Sequence, residues 1–315
     1  MLSVRTFHEG KFTEGDAALL GSPGLTWVDV REPDEATLLT LAERYGLHRL
    51  AIEDCLHLDQ RPKLEEYPGH QFLVLQGFTC AAESLSDVTM HELHFFLGPD
   101  WLITVHDKAH AAIDQVAKRL TADPAGTIGR GVDFVAYLLA DALVDWNFPL
   151  LDRVNDAIDD LEERVFDAGP APSLMQEALE LKRTLVLVRR VLSPQRDVVG
   201  LLARRGVPNV QEKTTLYFRD VYDHLVRIYE QLDAARDLVG NVVDAYLSVV
   251  ANRTADVSKQ LTIFATLFLP LSFVVGFFGQ NFEHLSQPVY FWLMLSLMVV
   301  MPATMFWWFR RKEWL

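Results

Sequence analysis

Cysteine is scarce in this chain of 315 residues: Cys55 and Cys80 are the two present, and they share no C-x-x-C spacing. A disulfide framework is excluded, a reducing compartment is implied, and the length is ample for a sizeable apolar core. Basic residues are also short, 29 Lys and Arg against 43 Asp and Glu, for a net charge of −14. A clustered basic face, which phosphate backbones require, is missing, so nucleic acid is excluded and cations become the expected small partners. No Walker-type glycine loop occurs, which removes nucleotide as a partner and nucleotide-driven pumping as an activity. The N-terminus, MLSVRTFHEG, lacks an apolar h-region and reads as no signal peptide. The fragment HELH, His91 to His94, lacks the second histidine at i+4 that a zinc protease helix needs, since residue 95 is Phe. On a strand, His91 and His94 would face opposite ways. The expectation is a protein that is no enzyme and has no catalytic cofactor.

Charge is absent from two C-terminal stretches, Leu261 to Phe278 and Val289 to Phe309, each close to the roughly 20 residues that cross a bilayer core. Arg253 and Lys259 precede the first; Arg310, Arg311 and Lys312 follow the second. Basic flanks on both sides put both termini in the cytoplasm, and Tyr290, Trp292, Trp307 and Trp308 serve as interfacial anchors. The bilayer is thus an expected partner, the membrane being a bacterial-type inner or plasma membrane.

The first 110 residues alternate short strand-like runs with helical pattern. TWVDV, QFLVLQGF, HELHFFLG and WLITVH read as strands, the last two an antiparallel pair across Gly98-Pro99-Asp100. PDEATLLTLAERYGL reads as a helix between Pro33 and Gly46. A breaker-rich link, Thr121 to Gly131, leads to helices expected over Val132–Phe166 and Ser173–Leu192, joined by DAGPAPS and rich in carboxylates. The expected organisation is a cytoplasmic α/β domain (1–130), an acidic helical hairpin arm (131–212), a stalk helix (213–260), a first span (261–280), an outer loop (281–288), a second span (289–309) and a basic cytoplasmic tail (310–315).

Between Lys213 and Leu269 there is one glycine, Gly240, and no proline. A continuous helix of about 57 residues would run roughly 85 Å, of which a bilayer core takes about 30 Å. The remainder is expected to stand in the cytoplasm as a stalk. Leu225, Ile228, Leu232, Leu238, Val242 and Leu247 give it too much apolar surface to stand alone, so partner helices from further copies of the chain are expected.

Along that helix, Ala255, Ser258, Thr262, Ala265, Leu269, Ser272 and Gly276 recur at three- and four-residue steps. Six of the seven are small or hydroxylic, which serves close helix packing or a pore lining equally well. The stretch beyond them, Gly279-Gln280-Asn281, decides between the two. An amide pair at the end of an oily helix is costly unless it lines water or is buried in protein. In a ring of copies, Gly279 ends the helix and exposes carbonyls, and Asn281 offers a neutral amide oxygen. Such a ring suits a hard cation that keeps its water, as Mg²⁺ does.

The run NRTADVSKQLTIFATLFLPLSFVVGFFGQNF, Asn252 to Phe282, closely resembles the CorA family of divalent-cation transporters, whose first span ends at Gly-Met-Asn. WVDVREPDE, GLHRLAIEDCLHLDQRPKLEEY, HELHFFLGPDWLITVH and RRKEWL are similar to other segments of that family, so the resemblance covers nearly the whole chain. It implies an α+β fold: a cytoplasmic mixed α/β/α sandwich domain, with a long helical stalk continuous with the first of two transmembrane helices. It also implies a homopentameric channel for Mg²⁺, with Co²⁺ and Ni²⁺ passing in some members and Zn²⁺ in the ZntB branch. Three departures stand out: Gln280 replaces the signature methionine, Ala255 a polar asparagine ring, and Ser258 a gating methionine. A wider or wetter inner pore is implied. The outer loop EHLSQP retains Glu283, beside His284, and otherwise lacks the family's acidic residues.

The resemblance further implies regulatory divalent cations, Mg²⁺ or Zn²⁺, between subunits, with Glu53 and Asp54 of one meeting Asp220 and His224 of the next. From spacing alone, Asp220 and His224 are four apart and share one helix face. An imidazole there suits Zn²⁺ or Co²⁺ better than Mg²⁺. Two alternatives stay open: a ZntB-like zinc transporter, proton-coupled, and a membrane-anchored scaffold without transport.

Overall fold

The computed structural model describes residues 1–57, 60–80, 88–108, 110–167, 169, 171–280, 287–312 and 314. Two compact units divide the chain: Met1–Arg164 with Ala171–Val243, and Val165–Pro170 with Asp244–Leu315.

The first unit is built on seven strands: β1 (Leu2–His8), β2 (Lys11–Gly15), β3 (Leu25–Arg31), β4 (Lys63–Tyr67), β5 (His70–Cys80), β6 (Val88–Leu97) and β7 (Trp101–His106). Their order is β2-β1-β3-β7-β6-β5-β4. The β6–β7 pair is antiparallel, as the Gly98-Pro99-Asp100 turn predicts, and so are all other neighbours except β3 and β7, which run parallel. Helix α1 (Glu35–Tyr45) starts where the Asp34 side chain accepts from Thr37 N–H at 2.6 Å, and this bond holds the Asp34 carboxyl below its ordinary range. It stops at Gly46, whose φ of 69° is left-handed.

One sheet face carries α1 and α2 (Arg49–Leu56): Leu38, Leu41, Ala51, Ile52 and Cys55 pack on Val28, Val74, Phe96 and Ile103. The opposite face meets α3 (Ala111–Ala122) through α4 (Val132–Asp145), which touches β3, β5, β6 and β7. Helix α4 is apolar nearly all round because it is buried on nearly all sides. With the next helix it is long and apolar enough to cross a membrane, yet 72% of its apolar window is buried inside the protein. Gly77 on β5 makes the close approach possible: a Cβ there would lie 2.7 Å from Leu143 Cδ1 of α4.

Strand β4 pairs with β5 only as far as Val74, leaving the rest of that edge bare. Helix side chains close it. Gln195 Oε1 accepts from Gln76 N–H at 2.6 Å, and Asn147 Oδ1 accepts from Phe78 N–H at 3.2 Å. Asn147 also corrects the expected helix over Val132–Phe166. Fully buried, it donates to the Leu143 and Val144 carbonyls, so the chain breaks there into α4 and α5 (Phe148–Asp167), the latter opening on Pro149. The helix expected over Ser173–Leu192 is longer, Pro172–Leu202 (α6), and runs through Pro194.

Helix α7, Glu212–Phe278, is continuous for 67 residues and passes Pro270, where a stop could have been expected. At about 1.5 Å per residue it is roughly 100 Å long. Part of its apolar surface needs no further copy. Leu225, Ile228, Leu232 and Val242 are buried within the chain, with Leu181, Leu185 and Val188 of α6 buried alongside them in the same unit. Arg189 of α6 donates to Tyr229 Oη at 2.6 Å and pairs with Asp233 at 3.3 Å. Of the six apolar residues named for self-association, only Leu238 (44% exposed) and Leu247 (53%) stay open. The second unit holds the rest of α7 and α8, Pro288–Arg311, both long and apolar enough to cross a membrane.

Candidate functional site

Every residue of the stripe Ala255, Ser258, Thr262, Ala265, Leu269, Ser272 and Gly276 is exposed. The buried positions of the same stretch, Ile263 and Val274, with half-buried Leu267 and Leu271, lie on nearly the opposite side of the helix. That side needs a covering element, and α8 is the other helix of the unit. Two of the stripe hydroxyls are satisfied on their own helix: Thr262 donates to the Ser258 carbonyl at 2.8 Å and Ser272 to the Phe268 carbonyl at 2.9 Å. They therefore carry no unpaired donor into an apolar setting, while their oxygens remain free to accept.

Phe278 ends the helix, Gly279 N–H still donates to the Val275 carbonyl at 2.9 Å, and Gln280 N–H to the Phe277 carbonyl at 3.3 Å. Gly279 is not left-handed. Its glycine is required by proximity, because a Cβ there would lie 2.9 Å from the Val275 oxygen. Asn281, Glu283 and His284 lie outside the described residues.

Of the expected regulatory residues, Glu53 is exposed on α2 and Asp54 is engaged. Lys63 donates to Asp54 at 2.6 Å and to Glu65 at 3.2 Å. Burial pulls the Lys63 ammonium down, but the Asp54 and Glu65 bonds outweigh it and hold its pKa above the ordinary value. Asp220 is exposed on α7. Within one chain, His224 keeps different company: its Nδ1 stands 3.0 Å from Asp145 Oδ1 of α4.

Asp141, Asp145 and His224 present ligand atoms all within 4.8 Å of one another. Asp141 Oδ1 is buried and meets no hydrogen-bond donor among the described residues. Burial, then the Asp145 charge, pushes the Asp141 carboxyl up to about 6, with His224 opposing and Asp220 adding to the rise. A cleft of about 310 Å³ opens on the two carboxylates, lined also by Gln115, Arg119 and Trp146. Sequence reading missed Asp141 and Asp145. The signal was an acidic i,i+4 pair, DALVD, at the end of an otherwise apolar helix.

The HELH histidines do lie apart. His94 is buried, Nε2 at 2.5 Å from Glu92 Oε1 and Nδ1 at 3.2 Å from Cys55 Sγ. His91 meets Thr79 at 2.7 Å and the His110 ring. Burial pushes the Cys55 thiol well above its ordinary range, which leaves it unreactive.

The fold is a mixed sheet layered by helices, together with two little-buried helices that are long and apolar enough to cross a membrane. The family model described as "CorA-like Mg2+ transporter protein" matches residues 22–311, and the chain belongs to that family. It is 34% identical over 319 residues to the cobalt/magnesium transport protein CorA of Thermotoga maritima, covering 99% of this chain and 90% of that one. It is 25% identical over 258 residues to the zinc transport protein ZntB of Yersinia pseudotuberculosis, covering 81% and 77%. The solved CorA magnesium transporter of Methanocaldococcus jannaschii has the same fold, with a TM-score of 0.88 at 24% identity over 100% of this chain and 99% of that one.

Proposed function

We propose that this chain is one subunit of a homopentameric channel that carries divalent cations, Mg²⁺ with Co²⁺ and Ni²⁺, across the inner or plasma membrane into the cytoplasm. The observation that carries the reading is the stripe from Ala255 to Gly276. It is small and hydroxylic, exposed along its whole length, and set against a buried face on nearly the opposite side of the same helix. Five such stripes around an axis would line a water-filled path with neutral oxygens. Residues 213–260 of α7 are the stalk, 261–280 and 289–309 the spans, and 310–315 the basic tail inside the cell. Gly279, Gln280 and Asn281 form the outer filter, which receives a cation with its water shell. Glu283 and His284 flank it.

The sequence carries no Walker-type glycine loop through which a nucleotide would supply the drive. At about 2.3 kcal/mol per charge per 100 mV, a divalent ion gains about 4.6 kcal/mol on moving inward, so the membrane potential suffices. Cytoplasmic cations close the channel by bridging Glu53 and Asp54 of one subunit to Asp220 and His224 of the next. For that bridge the cation must take Asp54 from Lys63, which holds it at 2.6 Å.

Gln280 in place of methionine, together with Ala255 and Ser258 in the inner path, supports a second reading within the same class, a zinc transporter. Purified protein in liposomes, with Mg²⁺ and Zn²⁺ uptake measured separately and with or without an imposed potential, tests both. Potential-driven Mg²⁺ uptake is expected. Zn²⁺ uptake alone, dependent on a proton gradient, selects the second reading, and uptake of neither ion leaves the scaffold.

A further inference from the structure

We infer that the end of α8 is a binding site for the headgroup of an anionic phospholipid, built from Arg310, Arg311 and Lys312 and held in shape by Trp314. It rests on the reading of α8 as a membrane span and asks nothing of the ion carried. All four residues belong to the second compact unit.

The few residues beyond a span ordinarily fray, because nothing ties them down. Here the chain turns back on itself. Lys312 N–H donates to the Trp308 and Phe309 carbonyls at 3.1 and 3.2 Å, and Trp314 N–H to the Phe309 carbonyl at 3.0 Å. The Trp314 ring stacks on Phe309 with centroids 5.7 Å apart and planes at 18°, and it meets Trp308 at 6.4 Å. Phe309 is accordingly the one buried residue of α8. The folded tail thus fixes the backbone that carries three cations in a row.

Those cations face outward. Arg310, Arg311 and Lys312 are exposed, and no ion pair among the described residues engages them. At about 100° per residue they fan around the end of the helix. The Arg311 guanidinium lies over the ring of Trp307, 5.4 Å from its centre, and Trp307 is itself exposed. An indole at the end of a span settles at the bilayer interface, so a guanidinium laid over it is held at headgroup depth. Its planar fork matches two oxygens of a phosphate there.

Charge selects the lipid. The carbonyl end of a helix carries about half a negative charge, but backbone N–H groups meet it here and three full positive charges exceed it. A zwitterionic headgroup would set its own ammonium among these cations, whereas an anionic one brings only attraction. The chain as a whole, at −14, repels an anionic surface, so the attraction must be local. It is: the cluster begins directly after the uncharged run ends at Phe309, where the phosphate layer stands within a Debye length of about 8 Å.

The test uses full-length protein in vesicles of about three parts phosphatidylcholine to one of phosphatidylglycerol, with brominated chains on one lipid or the other. Quenching of tryptophan fluorescence then gives the ratio of the two lipids beside the protein. Enrichment of phosphatidylglycerol by at least about fivefold is expected, the contribution of one cation near an anionic headgroup. Replacing Arg310, Arg311 and Lys312 together by Gln should abolish it, and Arg311→Gln alone should weaken it. Trp314→Ala should also weaken it although every cation remains, and an unchanged ratio there would overturn the role given to the folded tail. Equal quenching by the two lipids in the parent protein, or enrichment that survives the triple substitution, overturns the site. So does its loss to inorganic phosphate but not to chloride at matched ionic strength, which would assign the cations to a free anion. Protein that fails to enter the vesicles at all would instead remove the reading of α8 as a span, and the site with it.

Discussion

Gln195, the residue after the proline inside α6, accepts a hydrogen bond at 2.6 Å from the backbone N–H of Gln76 on β5, 119 positions earlier. The bond closes the stretch of sheet edge that β4 is too short to cover. Replacing Gln195 with Leu keeps the volume and strands a buried N–H. About 1–3 kcal/mol of stability should be lost. Thermal unfolding of the detergent-solubilised protein reads it, and an unchanged midpoint would mean that water serves that edge equally well.

Asp29 and His106 face each other at 3.3 Å across the parallel β3–β7 pair. Burial pulls the His106 pKa down, but the Asp29 hydrogen bond and charge outweigh it, so the folded value lies above the ordinary one. A raised folded pKa contributes stability that is full below the unfolded value, near 6.5, and fades as pH rises through the folded value. Asp29→Asn should therefore lower the unfolding midpoint more at pH 6 than at pH 9. Equal losses at both pH values would show that the pair acts through packing alone.

At the outer turn, two substitutions should separate. Asn281→Ala should abolish divalent uptake in liposomes while oligomers keep their normal mass, because it removes a ligand ring and little packing. Gln280→Met should retain transport and shift preference toward Mg²⁺. Uptake by Asn281→Ala at the parent rate would leave the turn as a helix end only.

Assembly itself is checked by mass measurement in mild detergent, where a pentamer is expected. Leu238 and Leu247, the stalk residues left exposed, should lie in its interface. A monomer under those conditions would remove the channel reading.

Regulatory cations between subunits should protect the cytoplasmic part from protease, and chelation with EDTA should expose it. Glu53→Gln with Asp54→Asn should cleave alike with and without millimolar-range Mg²⁺. Wild-type digestion that ignores the cation would remove Glu53, Asp54, Asp220 and His224 from the gating scheme.

What was legible in the sequence is what depends on neighbours along the chain. Pro33 and Gly46 bracket α1 because helix start and stop signals act within one turn, and Gly98-Pro99-Asp100 announces a hairpin for the same reason. Charge-free lengths with basic flanks mark α8 and the end of α7 because a bilayer tests only length and polarity. The stripe from Ala255 to Gly276 follows from helical periodicity alone. Tertiary structure decided the rest. Whether β3 lies parallel to β7 depends on strand order, which no local pattern encodes. Asn147 breaks a helix that propensity would continue, because β5 needs its side chain. Leu225 and Leu232 read as surface seeking another copy, yet α6 returns along the same chain and buries alongside them. His224 stands 79 residues from Asp145, so only the packing of α7 beside α4 could bring the imidazole to the carboxylates. A sequence determines which segments must hide from water or from charge; the order in which they meet fixes what they hide against, and with it which polar side chains are left facing one another.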